Sequence, residues 1–136
     1  MQADMAPALD GLLETALYVE DLGRAEAFYR DVLGLAVVDT SPRLTAMAAG
    51  PRQLLLLFKR GDSVALPLTP HDAAGSQHIA FAVPASALEA WESWLTAHHV
   101  SVLERKSWGR GGVSLYFSDP DGHLLELATP GVWSVY

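Results

Sequence analysis

The sequence predicts an α+β fold in which one βαβββ unit occurs twice. Three observations predict it. Short strand-like segments recur between Gly- and Pro-containing turns, and a helical stretch follows the first strand of each half. The same element order then returns at an offset of about 64 residues, which brings Glu14 onto His78, Ala16 onto Ala80 and Val19 onto Val83. Self-similarity of this kind is the signature of a repeated supersecondary unit. At 136 residues the chain has the length of about one domain, so residues 1–136 are read as a single domain of two modules.

Leu12 to Val19 has strand character. Asp21 is placed to cap a helix whose Leu22, Ala25, Phe28, Val32 and Leu33 recur at helical spacing, and Gly34 ends it. Leu35 to Thr40, Leu44 to Ala49 and Gln53 to Lys59 read as three strands, broken at Ser41-Pro42 and at Gly50-Pro51. Module one therefore covers about 11–60. A linker of about 60–76 with Pro67, Pro70 and Gly75 reads as a connecting arm. Module two, about 77–131, opens with the strand Gln77 to Val83. Ser86 and Glu89 have the spacing of a capping box, ahead of a helix with Leu88, Trp91 and Leu95 on one face. Val100 to Lys106 is a strand, a turn runs through Gly109, Gly111 and Gly112, and Val113 to Ser118 and Leu124 to Ala128 form a hairpin closed by Asp119-Pro120-Asp121-Gly122.

Composition excludes several function classes. Half the residues are hydrophobic, enough for a core. The net charge of −7, with no basic run, argues against nucleic acid and anionic membranes as partners. The absence of cysteine removes disulfides, thiolate ligands and a cysteine nucleophile. The N-terminal segment has neither the basic region nor the apolar core of a secretory signal, and the longest apolar run, Leu54 to Phe58, is too short to span a bilayer. A cytoplasmic location is the expectation.

Glu14, His78 and Glu126 are the candidate chemical residues. Each lies in a strand setting that can aim it at a shared site, and two carboxylates with one imidazole can hold a divalent metal with positions left open. Read singly, Glu14 is an ordinary exposed carboxylate and His78 a satisfied core histidine. An inward, unpaired Glu126 among Leu124, Leu125 and Leu127 would be costly. His98 and His99 suit a helix C-terminus. His123 falls in the hairpin turn and is expected to face solvent, and His71 falls in the linker. Trp91 and Trp94 suit core or dimer contacts, and Trp133 and Tyr136 a covering or partner-facing role.

The motifs Tyr18-Val19-Glu20-Asp21-Leu22, Ala27-Phe28-Tyr29-Arg30-Asp31-Val32-Leu33-Gly34-Leu35, Gln77-His78-Ile79-Ala80-Phe81 and Phe117-Ser118-Asp119-Pro120-Asp121-Gly122-His123-Leu124-Leu125-Glu126-Leu127 together resemble the vicinal oxygen chelate superfamily. That group includes glyoxalase I, bleomycin-resistance proteins, extradiol dioxygenases, methylmalonyl-CoA epimerase and fosfomycin-resistance enzymes. The resemblance runs from about residue 12 to residue 131. It implies paired βαβββ modules with curled mixed sheets forming a cup, often completed in a homodimer with one module from each chain. It also implies metal ligands at Glu14, His78 and Glu126. Two departures stand out. The first-strand position usually holds His or Gln where this chain has Glu14. The position of a fourth ligand in some members falls on Leu55 or thereabouts, so three protein ligands with water are expected.

The resulting expectation is a glyoxalase-like enzyme using Mn²⁺, Fe²⁺, Zn²⁺ or Ni²⁺ on a small substrate with adjacent oxygens, by isomerase, lyase or addition chemistry. Glu14 and Glu126 are its candidate catalytic carboxylates, with Glu14 able to act as a general base if it leaves the metal. Ser114 and Tyr116 share a strand face expected to meet substrate, and Lys106, Trp108 and Arg110 flank the Gly-rich turn where they suit an anionic or aromatic group. Two alternatives remain: a metal-free, bleomycin-resistance-like protein whose acidity suits a cationic drug, and an extradiol dioxygenase.

Overall fold

A computed structural model describes residues 5–136; residues 1–4, the start of the N-terminal segment read above, lie outside it. Its elements are β1 (Glu14–Val19), α1 (Leu22–Asp31), β2 (Ala36–Ser41), β3 (Leu44–Gly50), β4 (Gln53–Lys59), β5 (His78–Ala82), α2 (Leu88–Ala97), β6 (Glu104–Ser107), β7 (Val113–Ser118) and β8 (Leu124–Ala128). The strands make two four-stranded sheets, ordered β1-β4-β3-β2 and β5-β8-β7-β6. In each sheet the first strand pairs parallel with the last, and the remaining pairs are antiparallel. The two halves of the sequence thus have one mixed topology.

Local chemistry explains the helix ends. Asp21 has an extended backbone and its carboxylate accepts the Arg24 N–H at 2.9 Å, an N-cap bond. Gly34, at φ +74°, ends α1 by letting Leu35 N–H reach back to the Tyr29 carbonyl at 3.0 Å. The Ser86–Glu89 capping box does not form. A 3₁₀ turn over Ala85–Ala87 precedes α2, whose N-cap is Ala87 with no side-chain bond. Ser86 already lies inside a helical turn, so it cannot act as the extended residue in front of one. Val100 and Val102 are likewise not in a strand: they pack on the core from irregular chain, and β6 begins only at Glu104.

One hydrophobic core unites both halves. Leu17, Val19, Ala25, Tyr29, Met47, Leu55 and Leu57 from the first join Leu88, Leu95, Leu115, Phe117, Leu125 and Leu127 from the second. Because strand side chains alternate, the opposite face of each sheet points away from this core. On the first sheet that outer face carries Glu14, Ala16 and Tyr18 on β1, with Leu54, Leu56 and Phe58 opposite them on β4. On the second it carries His78, Ala80 and Ala82 on β5, then Leu124, Glu126 and Ala128 on β8, and Ser114, Tyr116 and Ser118 on β7.

Polar clasps fix one half against the other. The Tyr29 hydroxyl donates to Asp119 Oδ2 at 2.7 Å inside the protein, while Asp119 Oδ1 accepts the backbone N–H groups of Asp121 and His123. His123 is fully buried, not solvent-facing as its turn position suggested. Its Nδ1 accepts the Gln77 N–H at 3.0 Å, so Nε2 carries the proton and donates to the Tyr18 carbonyl at 2.7 Å. The linker is also anchored. Ser63 is fully buried, Arg60 donates to the carbonyls of Tyr18 and Ala73, and His71 Nδ1 lies 2.6 Å from the Tyr18 hydroxyl. Burial, followed by the charge of Asp72, holds that hydroxyl above its usual range.

Candidate metal centre

Strand register brings two of the three predicted ligands together. His78 pairs with Leu124 and Ala80 with Glu126, so His78 and Glu126 are diagonal neighbours on the outer face of adjacent strands. His78 Nε2 lies 3.2 Å from Glu126 Oε1. The other ring nitrogen, Nδ1, is 2.8 Å from the Leu124 carbonyl, which can only accept, so Nδ1 carries a proton. Nε2 then presents its lone pair, or a second proton, to the carboxylate.

A divalent ion fits this pair. Metal–nitrogen and metal–oxygen distances of about 2.0–2.2 Å place two neighbouring ligand atoms about 2.8–3.6 Å apart, from octahedral to tetrahedral angles. The observed 3.2 Å lies within that range. A ring fixed through Nδ1 to a backbone carbonyl is the usual support for a ligating imidazole.

Glu14 is not brought to this pair within one chain. It occupies the exposed outer face of the first sheet, and the two sheets share a core through their opposite faces. Among the described residues, no three His, Asp or Glu side chains form a group able to hold a metal. The register also revises the fourth position. Glu126 is matched in the first sheet by Leu56, two residues beyond the Glu14–Leu54 pair, whereas Leu55 points into the core. A leucine holds that position in either reading.

The predicted substrate residues divide into two groups. Ser114 is fully buried and donates to Glu126 Oε2 at 2.5 Å, so it stands behind the carboxylate and not at an open wall. Trp108 Nε1–H donates to the Ser114 oxygen at 2.9 Å, so its polar edge is occupied too. Tyr116 remains beside the pair, its ring stacked on His78 with centroids 6.4 Å apart. Burial raises its hydroxyl above the ordinary range, aided by the Glu126 charge. Lys106 sits over the Trp108 ring at 4.2 Å, and Arg110 is exposed on the adjoining turn.

That turn is held by close backbone packing. A Cβ on Gly112 would lie 2.1 Å from the Val132 nitrogen, so only glycine fits. Val113 and Thr129 exchange further bonds alongside it. Elsewhere, a crevice of about 460 Å³ runs between β1 and β5, lined by Leu13, Glu14, Leu54, Ile79 and Ala80 among others. Sequence reasoning missed His71 and Tyr29. Tyr29 had a usable signal, since it falls four residues after Ala25 on the apolar face of α1, whereas His71 had none.

Comparison with known proteins finds relatives in sequence and in fold. The chain is 30% identical over 115 residues to the metallothiol transferase FosB of Staphylococcus saprophyticus, covering 82% of this chain and 71% of that protein. It is 30% identical over 122 residues to the FosB of Staphylococcus haemolyticus, covering 89% and 84%. The crystal structure of a lactoylglutathione lyase from Agrobacterium tumefaciens superposes with a TM-score of 0.88 at 34% identity, over 94% of this chain and 99% of that one. The fosfomycin resistance protein FosX from Mesorhizobium loti shares the fold, with a TM-score of 0.67 at 22% identity over 92% and 96%. A profile of the Glyoxalase/Bleomycin resistance protein/Dioxygenase superfamily matches residues 11–127, and the chain belongs to that superfamily.

Proposed function

We propose that this protein is a divalent-metal-dependent enzyme of the glyoxalase-like kind, acting on a small molecule with adjacent oxygens by isomerase, lyase or addition chemistry. The observation that carries this reading is the His78–Glu126 pair, with its ring fixed by the Leu124 carbonyl and its 3.2 Å ligand-edge spacing. The metal is Mn²⁺, Fe²⁺, Zn²⁺ or Ni²⁺, the ions suited to imidazole and carboxylate donors. Relatives named as a metallothiol transferase and a lactoylglutathione lyase support metal-assisted transfer or lyase chemistry.

A second copy of the chain supplies Glu14. The outer face of the first sheet is apolar across β4 and β3, with Glu14 and Tyr18 on its β1 edge and Asp39 and Ser41 on its β2 edge, a surface suited to cover by another protein face. Laid on the polar outer face of a partner's second sheet, it would complete a three-ligand site and close a cup over substrate. The homodimer is therefore the functional unit, with no nucleic acid or membrane partner required. No helix among the described residues is long and apolar enough to cross a membrane.

In this arrangement His78 and Glu126 hold the ion, and Tyr116 walls the site beside them. The ion would supply Lewis acidity toward two neighbouring substrate oxygens. Glu14, on leaving the ion, would accept a proton from carbon as a general base. Tyr116, Lys106 and Arg110 border the opening and contact the substrate's outer part.

The test is metal analysis of protein purified without chelator, with sedimentation to determine its mass. The expected result is a dimer holding one metal per chain, with metal lost in His78→Ala and metal retained without turnover in Glu14→Gln. A metal-free protein that binds a cationic drug tightly would overturn the reading in favour of a sequestering protein. Oxygen uptake with catechols under ferrous iron would replace it with ring cleavage.

A further inference from the structure

We infer that Trp108 and Ser114 are positioning residues that restrict Glu126 to a single ligating oxygen. The inference rests on the metal reading above and deepens it. Ser114 and Glu126 are diagonal neighbours on the outer face of paired strands, where the register sets Ser114 opposite Ala128 and Glu126 opposite Tyr116. The Ser114 hydroxyl has one proton to give. The indole N–H of Trp108 fills an acceptor site on the same oxygen at 2.9 Å, which directs that proton to Glu126 Oε2 at 2.5 Å. A charge-assisted bond of this kind is among the stronger ones available to a side chain, and here it is buried. Oε2 is thereby taken up by Ser114, while Oε1 lies 3.2 Å from His78 Nε2.

The indole is itself fixed. Trp108 opens the Gly-rich turn: its N–H reaches the Gly112 carbonyl at 2.8 Å, and its carbonyl accepts the Gly111 N–H at 3.0 Å. Gly112 is pressed against the backbone of Gly131 and Val132, in the segment that follows β8. The strand that carries Glu126 and the turn that carries Trp108 therefore share one rigid backbone contact. Lys106 over the indole face adds a further restraint from β6.

A one-oxygen carboxylate leaves an additional coordination position for water or substrate. With the relay removed, Glu126 is free to bind through both oxygens and to occupy that position. Support of this kind behind a ligand is generally worth about 10–100-fold in metal affinity.

The test uses the 136-residue chain, screened for binding of Mn²⁺, Zn²⁺ and Ni²⁺, with Mn²⁺ as the quantitative probe. Metal dissociation constants come from titration calorimetry, and inner-sphere water is counted by water-proton relaxation, for the wild type, Ser114→Ala and Trp108→Phe. Circular dichroism verifies the fold of each variant. Both variants are expected to bind Mn²⁺ about 10–100-fold more weakly, with fewer bound waters than the wild type. The indole N–H resonance of Trp108 is expected to shift in metal-free Ser114→Ala. Wild type and both variants binding Mn²⁺ with equal affinity and equal water count would overturn the relay while leaving the metal site standing. A wild type that binds no Mn²⁺, Zn²⁺ or Ni²⁺ would overturn the metal reading and the relay with it.

Discussion

Removing one oxygen from Tyr29 is expected to loosen the union between the two halves of the chain. Tyr29→Phe retains the ring, so the core keeps its packing and only the hydroxyl's bond to Asp119 is lost. That bond is 2.7 Å long, fully enclosed, and made to a carboxylate. Hydrogen bonds to charged groups contribute about 1.5–3 kcal/mol. For a chain of this length the unfolding entropy is about 0.3 kcal/mol per kelvin, so a loss of about 2 kcal/mol lowers Tm by about 7 °C. Alkaline pH adds an independent check. Burial, the Asp119 charge and the bond to Asp119 all push the Tyr29 phenol far above its usual range. With the folded value raised, the group's contribution is complete below the unfolded value, at about pH 10, and is lost as pH climbs toward the folded one. The stability gap between wild type and Tyr29→Phe should therefore be constant up to about pH 10 and then shrink by about 1.4 kcal/mol per pH unit. Urea unfolding followed by circular dichroism at a series of pH values measures both. A Tm change under about 2 °C, or a gap that widens above pH 10, would refute the reasoning.

Other perturbations probe different parts of the molecule. Gly112→Ala forces a methyl group into the Val132 backbone and should cost about 3 kcal/mol or more, read as a large fall in the urea midpoint; an unchanged midpoint would mean the turn and the C-terminal segment are not in contact. His123→Ala removes two partly buried bonds and should lower stability by about 2–4 kcal/mol, with hydrogen exchange accelerating at the Gln77 amide ahead of the β5 amides. The metal loss expected of His78→Ala and the weaker Mn²⁺ binding expected of Trp108→Phe complete the set.

Much of the architecture was legible because alternation and turn chemistry are local. Asp21 caps α1 and Gly34 ends it as their residue types require, and the equivalence of Glu14 and His78 identified the repeat. The capping box failed because spacing cannot reveal whether Ser86 is extended or already in a 3₁₀ turn. Ser114 was placed on the correct face of its strand, but a period of two does not say what lies beside that face. Its burial depends on Trp108, six residues earlier and across a turn. His123 reads as a surface residue because it sits next to Gly122, and its partners Gln77 and Tyr18 are 46 and 105 residues away. Glu14 shows the limit most clearly. The strand pattern predicts that it aims at a site shared with His78, yet it lies exposed on the outer face of the first sheet and no feature of a single chain brings it to His78.

The duplicated sheets have been put to unequal use. One outer surface holds His78, Glu126 and the hydroxyls around them; its counterpart offers Ala16, Ala46, Ala48, Leu54 and Leu56 in the matching positions. Glu14 apart, the polar side chains and the apolar contour thus lie on different sheets, and each is free to change without the other. A combinatorial library confined to those five small or aliphatic positions would remodel the contour offered to a ligand while sparing every coordinating side chain, which gives this scaffold a built-in route to new specificities.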